Sequence, residues 1–186
     1  MTSLPPLERN ILVSWSPDAA FRRFTDQIGT WWPYRTHSVG GNKVQRLVFE
    51  SGVGGRIFEE HVDGRRFQWG TVLEWSPPHL VRFTWHPAAA AAEDAQQVTL
   101  RFVAEGGGTR LMLTHTGWDR LGANGARMRR GYNVGWRYVL EVWSGRRTGF
   151  VRLMDGLAAI MSLPRRLRRV EIDPRDAAGG ELPAGS

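Results

Sequence analysis

The feature that most constrains the fold is a change in the spacing of apolar residues near residue 117. Between residues 46 and 116, apolar side chains recur at every second position in segments separated by Gly, Pro and Asp-Gly turns, which is typical of antiparallel strands. Beyond Gly117 they recur at helical spacing: Met128, Tyr132, Gly135, Trp136, Val139, Leu140 and Trp143. Because a sheet must bury its apolar face, we predict an α+β domain in which a curved antiparallel sheet wraps a long C-terminal helix.

The N-terminal part of the chain adds a strand, a helix and a long loop. Residues 7–14 are predicted to form a strand. A helix is predicted over 17–28, because Ser16 can cap it, Pro17 suits its first position and Asp18 favours the helix dipole. Residues 34–45 carry little periodicity and are predicted to form a surface loop of the kind that often carries function.

The C-terminal end separates from this main body. A second amphipathic stripe predicts an additional helix that ends at Pro164; its members are Phe150, Leu153, Met154, Leu157, Ile160 and Met161. Arginines at 165–169 and an Ala-, Gly- and Pro-containing segment follow, which indicates disorder. We therefore divide the chain into a main domain over 1–146, an amphipathic helix over 147–164 and a basic, disordered tail over 165–186.

Composition excludes several classes of protein. The chain has no cysteine, which excludes disulfides, a thiolate nucleophile and Cys-ligated metals. It has no metal-ligand spacing, dinucleotide fingerprint or Walker A motif, so we predict neither a metal nor a cofactor. The N-terminus lacks the features of a signal peptide, and no apolar run reaches about 18 residues, so we expect a cytoplasmic protein without a membrane span.

Four segments resemble a known family. They are WWP at 31–33 with THS at 36–38, GGRIFEE at 54–60, WGTVLEW at 69–75 with PP at 77–78 and FTW at 83–85, and EGGGTR at 105–110 with THTGW at 114–118. In this order they resemble the START-like superfamily, and within it the bacterial proteins similar to the C-terminal domain of the activator of Hsp90 ATPase. The resemblance implies a helix-grip fold of about six or seven strands around the C-terminal helix, with a cavity between sheet and helix. Related folds bind hydrophobic ligands, and some relatives are cyclases or hydrolases.

Strand alternation indicates which side chains face that cavity. On the strand at 65–75, the residues Phe67, Trp69, Thr71, Leu73 and Trp75 share one face, which we expect to point at the helix. The same rule turns alternate residues of the next strands inward. The predicted aromatic lining is Trp69, Phe83, Trp85, Tyr132 and Trp136, with Trp31 near it. Apolar walls with few polar groups are typical of small-molecule sites, although these side chains could instead fill the core.

Three polar residues are further candidates. His115 is predicted to face inward, either as a ligand contact or as a histidine that joins the strand end to the turn at Trp118. His37 lies in the long loop and could reach the pocket mouth or simply be solvated. Of Glu59 and Glu60 one must face inward, and an inward glutamate near His115 would form an acid–base pair with shifted pKa values.

These observations leave several functions open. The first is binding of a hydrophobic or aromatic small molecule in the cavity. The second is a protein-interaction or co-chaperone-like module based on residues 150–161, whose apolar face could pack on the domain itself, form a homodimer or bind a protein partner. The third is a cyclase- or hydrolase-type enzyme. The net charge is +7, and of the 25 basic residues only Lys43 is a lysine. We interpret the arginines mainly as solvated surface residues, so nucleic-acid binding is not expected.

Overall fold

The computed structural model describes residues 4–87, 95–162 and 181–182. Its strands are β1 (Leu7–Val13), β2 (Val44–Phe49), β3 (Arg56–His61), β4 (Arg66–Ser76), β5 (Leu80–Trp85), β6 (Gln96–Glu105), β7 (Gly108–Thr116) and β8 (Glu181–Leu182). Its α-helices are α1 (Pro17–Phe24), α2 (Ile28–Trp31), α3 (Gly125–Trp143) and α4 (Gly149–Ser162). Two 3₁₀ helices, Gly41–Lys43 and Trp118–Asn124, precede β2 and α3.

The strands form one antiparallel sheet in the order β1-β7-β6-β5-β4-β3-β2, and β8 pairs with β4 beside this path. Short turns connect consecutive strands from β2, at one edge of the sheet, to β5. Strands β6 and β7 form a hairpin, and β1 pairs with β7 at the opposite edge. Helix α3 buries Trp136, Val139 and Trp143 in the same core as the inward residues of the sheet. This arrangement confirms the predicted α+β fold, with a curved sheet around a long C-terminal helix.

Strand β4 departs from the simple alternation predicted for it. Its pairing with β5 shifts by one residue between Val72 and Glu74, and its pairing with β3 shifts between Ile57 and Phe58. Each extra residue reverses the facing of the side chains beyond it. The predicted inward facing of Leu73 is therefore wrong: Val72 is buried in the core, whereas Leu73 is only half-buried.

The helix predicted over 17–28 is divided into two. Ser16 caps α1 as predicted, because its hydroxyl accepts the Ala19 N–H at 3.3 Å. The helix ends at Phe24, and the Phe21 carbonyl accepts both the backbone N–H and the hydroxyl of Thr25 at 3.0 Å. Helix α2 then places Trp31 and the following Trp32 in the core.

Helix α4 lies against α3. Val151 is buried, the Tyr138 hydroxyl donates to Asp155, and the Arg137 guanidinium lies 4.1 Å from the centre of the Phe150 ring. Residues 163–180 and 183–186, which hold the end of the predicted helix at 147–164 and most of the predicted tail at 165–186, lie outside the described residues. Glu181–Leu182 pair with β4 at Arg66 and Phe67. Within the described ranges, no helix is long and apolar enough to cross a membrane.

Candidate ligand pocket

Four tryptophans form the centre of the core at the end of the sheet where β4 and β5 meet α3. The Trp69 and Trp85 rings are 5.6 Å apart and nearly perpendicular, and Trp85 lies 5.4 Å from Trp136. Trp32, which follows α2, lies 5.3 Å from Trp69 and 5.9 Å from Trp85. Such edge-to-face and tilted contacts are the favoured geometries of aromatic rings. One side of this cluster is therefore a rigid aromatic surface.

A pocket of about 570 Å³ opens on that surface. It lies between α3 and the loop at 36–39, with the end of β5 on a third side. Its lining consists of Trp32, Thr36, His37, Ser38, Val39, Trp85, Pro87, Arg127, Met128, Gly131, Tyr132, Gly135, Trp136 and Val139. The volume falls within the roughly 300–1,000 Å³ typical of small-molecule sites. Its size and aromatic walls thus suit a ligand of several fused or linked rings.

Glu59 holds the loop that forms one wall of the pocket. Its side chain is fully buried, and its carboxylate accepts the Val39 N–H at 3.0 Å, the Gly40 N–H at 2.6 Å and the His61 Nε2–H at 2.6 Å. Only glycine fits at position 40, because a Cβ there would lie 2.1 Å from His61 Nε2. Glu59 is inward, but its partner is His61, so the alternative of an acid–base pair with His115 is wrong.

His37 lies at the pocket mouth, which is one of the two positions that the sequence left open. Its Nδ1 is 2.8 Å from the Thr36 hydroxyl, and its ring stacks on Tyr138 at 5.0 Å. Gly135 of α3 faces this ring, and a Cβ there would lie 3.4 Å from His37 Nε2, at the limit of ordinary van der Waals contact. Burial lowers the pKa of His37 below its usual value, which favours a neutral imidazole at neutral pH.

His115 is a core residue with both ring nitrogens engaged. The Trp136 indole N–H donates to Nδ1 at 3.0 Å, which leaves the proton on Nε2, and that N–H donates to the Gln96 side-chain oxygen at 2.9 Å. Burial lowers the pKa of His115 to about 3. The neutral ring therefore fixes the orientation of Trp136, which is one wall of the pocket.

The predicted site residues divide into two groups. His37, Trp85, Tyr132 and Trp136 line the pocket, whereas Trp31, Glu59, Trp69, Phe83 and His115 lie in the core around it. Sequence reasoning missed Trp32, Arg127 and Met128 as lining residues. Met128 belongs to the apolar stripe of α3, and its partial exposure is consistent with a position at the edge of the pocket.

The polar groups of the lining supply hydrogen-bond donors. Burial raises the pKa of Tyr132, partly offset by the neighbouring Trp85 indole N–H, so its hydroxyl remains protonated. That indole N–H makes no hydrogen bond of normal geometry within the described part of the chain. Among the described residues no group of three or more His, Cys, Asp or Glu side chains could hold a metal ion.

Fold and pocket together define a helix-grip protein, in which a curved sheet and a long helix enclose an aromatic site. The chain belongs to the activator of Hsp90 ATPase homolog 1-like protein family, whose model matches residues 14–142. Helix α4 lies outside this match. The comparison with curated proteins gives no match.

Solved structures of the same fold are numerous. The anthrahydroquino-gamma-pyrone synthase Txn09 is 29% identical, with 72% of this chain and 90% of that chain covered and a TM-score of 0.51. Protein MLL2253 from Mesorhizobium loti is 18% identical, with coverage of 82% and 98% and a TM-score of 0.55. CalU16 from Micromonospora echinospora is 17% identical, with coverage of 86% and 90% and a TM-score of 0.53. The last two show the fold alone.

Proposed function

We propose that the protein binds a hydrophobic or aromatic small molecule in the pocket between α3 and the loop at 36–39. The observation that carries this proposal is the pocket of about 570 Å³ with Trp32, Trp85 and Trp136 among its walls. Aromatic walls with a few oriented polar groups are typical of small-molecule sites. Txn09, at 29% identity, is a synthase named for an anthrahydroquino-gamma-pyrone, which supports a ligand with an aromatic ring system.

The walls are held in place without any ligand. Trp136 is fixed by its hydrogen bond to His115, and the Trp32 indole N–H donates to the His37 carbonyl at 2.7 Å. On the loop side, Glu59 fixes Val39 and Gly40. A preorganised site loses less conformational entropy when it binds, so a small rigid ligand can be retained with useful affinity.

Gly131 allows a test that leaves the core intact. It lines the pocket on α3, and a Cβ at this position would meet no heavy atom within 4 Å. The Gly131→Leu side chain would therefore extend into the pocket. Leucine is also the better helix former by about 0.5–1 kcal/mol, so the variant should not lose stability.

The test is a fluorescence titration with the neutral aromatic probe N-phenyl-1-naphthylamine. We expect Gly131→Leu to weaken binding at least about tenfold, equivalent to about 1.4 kcal/mol. Gly156→Leu is the matched control, because Gly156 lies on α4 with equally open space around it and does not line the pocket. Equal affinities in the wild type and both variants would refute the proposal.

The protein-interaction alternative depends on α4. The α4 residue buried against the domain is Val151, which is not part of the predicted stripe. Of the stripe, Phe150 contacts Arg137 of α3, whereas Leu153 and Leu157 are 60% and 48% exposed and form a surface that a second copy or a protein partner could cover. The molecular mass in solution, measured for the full chain and for a chain that ends at Arg147, tests the dimer version. If both have the mass of a single chain, the dimer version is excluded.

A further inference from the structure

The pocket lining carries one permanent charge, and it is positive. Arg127 is the only described lining residue with a permanent charge, and no Asp or Glu side chain is among them. The lowered pKa of His37 leaves that ring neutral at neutral pH. A ligand in this pocket therefore meets a cation without a balancing carboxylate on the described walls.

Arg127 is also weakly engaged compared with other arginines near it. Its one hydrogen bond within the described chain joins Nη2 to the Asn124 side-chain oxygen at 3.3 Å. By contrast, Arg129 donates to the carbonyls of Pro5 and Pro6 at 2.8 and 2.9 Å, and Arg137 forms an ion pair with Glu141. Most of the five N–H donors of the Arg127 guanidinium thus remain free to bind a ligand.

The other polar groups of the pocket also favour a ligand that accepts hydrogen bonds. The hydroxyls of Thr36 and Ser38 already donate to the carbonyls of Pro33 and Tyr34. The Tyr132 hydroxyl, in contrast, donates to no acceptor within the described residues, and it retains its proton because burial raises its pKa. Arg127 and Tyr132 are both donors on the first half of α3, and Arg127 lies in its first turn, at the positive end of the helix dipole.

The opposite wall is less suited to a negative group. The Val39 and Gly40 amides are already bound by the Glu59 carboxylate, whose charge lies behind the loop. An anion near that loop would lose these donors and meet a like charge. The favourable place for a negative group is therefore the α3 side of the pocket.

We propose that the ligand of this pocket is an aromatic molecule that bears an acidic oxygen group, such as a carboxylate or an ionised phenol, which Arg127 binds with Tyr132 as a second donor. The inference rests on the proposed function, since it assigns the chemical class of ligand for the same pocket. The ring system lies against Trp85 and Trp136, and the acidic group lies beside the first turns of α3. Arg127 acts as a specificity-determining residue, because a neutral ligand gains nothing from its charge.

Two probes that differ by one acidic group test the proposal. 8-Anilinonaphthalene-1-sulfonate carries the N-phenyl-naphthylamine skeleton with an added sulfonate, and N-phenyl-1-naphthylamine lacks the charge. We expect Arg127→Gln to weaken binding of the sulfonate about three- to tenfold, the range for a partly exposed charge pair, and to change binding of the neutral probe by less than about twofold. Arg127→Lys should retain part of the preference.

Arg130→Gln is the matched control. Arg130 is an exposed arginine of the same helix and does not line the pocket, so its replacement changes the net charge equally. If Arg127→Gln and Arg130→Gln affect the sulfonate equally, or if Arg127→Gln affects both probes alike, the proposal is overturned. These results differ from a failure of the pocket itself, in which Gly131→Leu would leave the affinity for both probes unchanged.

Discussion

Replacement of Glu59 by glutamine tests how the loop that forms the pocket wall is held. The carboxylate uses Oε1 for the Gly40 and His61 donors and Oε2 for the Val39 donor. A glutamine side chain has nearly the same shape but only one oxygen. If that oxygen keeps the two donors of Oε1, the amide NH₂ faces the Val39 N–H, and a buried donor is left without an acceptor.

The magnitude follows from this count. A buried donor without a partner costs about 1–3 kcal/mol, and two bonds to a charged acceptor become weaker neutral ones, so we expect a loss of about 2–3 kcal/mol in the free energy of unfolding. For a chain of this size, that corresponds to a decrease in Tm of about 5–10 °C. Because the lost bonds hold the loop, the amides of Val39 and Gly40 should also exchange faster with solvent than in the wild type, and this increase should exceed that in β6 and β7.

The assay is urea unfolding together with amide hydrogen exchange. Glu60→Gln is the control, since Glu60 forms ion pairs with Arg46 and Arg66 at the surface and does not contact the loop. The control should leave exchange at residues 36–40 unchanged. The reasoning is refuted if Glu59→Gln unfolds within about 0.5 kcal/mol of the wild type, or if the loop amides exchange as before.

Two further predictions concern buried side chains near the pocket. The pKa of His115 is lowered to about 3, whereas that of an unfolded histidine is about 6.5, so between these values the unfolded state binds one more proton. The free energy of unfolding should therefore decrease as the pH falls from 6.5 toward 3, by at most about 1.4 kcal/mol per pH unit. His115→Gln should remove this part of the pH dependence in urea titrations, and an unchanged slope would contradict the assignment. Tyr138→Phe removes the hydrogen bond from α3 to Asp155 of α4. We expect faster amide exchange in α4 with unchanged exchange in the sheet, whereas equal exchange in α4 would show that this bond does not hold the helix.

The layout of the fold follows from the sequence because periodicity reports which face of each element is buried. The stripe from Tyr132 to Trp143 could only belong to a helix, and the alternating segments could only belong to strands. The β-bulges of β4 could not be predicted in this way. A one-residue insertion in the pairing has no pattern of its own, and it moved Val72 inward against the expected alternation.

The pocket was only partly predictable, for a related reason. Trp85, Tyr132 and Trp136 belong to periodic elements, so their inward facing could be read from spacing alone. Trp32 lies between a short helix and Pro33, where no period applies, although the two adjacent tryptophans were a signal of burial. The partners of Glu59 and His115 come from distant segments, such as the loop at 39–40 for Glu59 and Gln96 for His115, which no local pattern relates.

The most direct test of the pocket is the tryptophan indole region of a ¹H–¹⁵N spectrum recorded during a titration with N-phenyl-1-naphthylamine. The nine tryptophans give nine side-chain N–H signals, which Trp→Phe variants assign. Binding in the proposed pocket predicts saturable shifts of the Trp85, Trp136 and Trp32 signals, with Trp15 and Trp143 unchanged because these two rings contact each other away from the pocket lining. Shifts confined to Trp15 and Trp143, or no shift at saturating probe, would contradict the account.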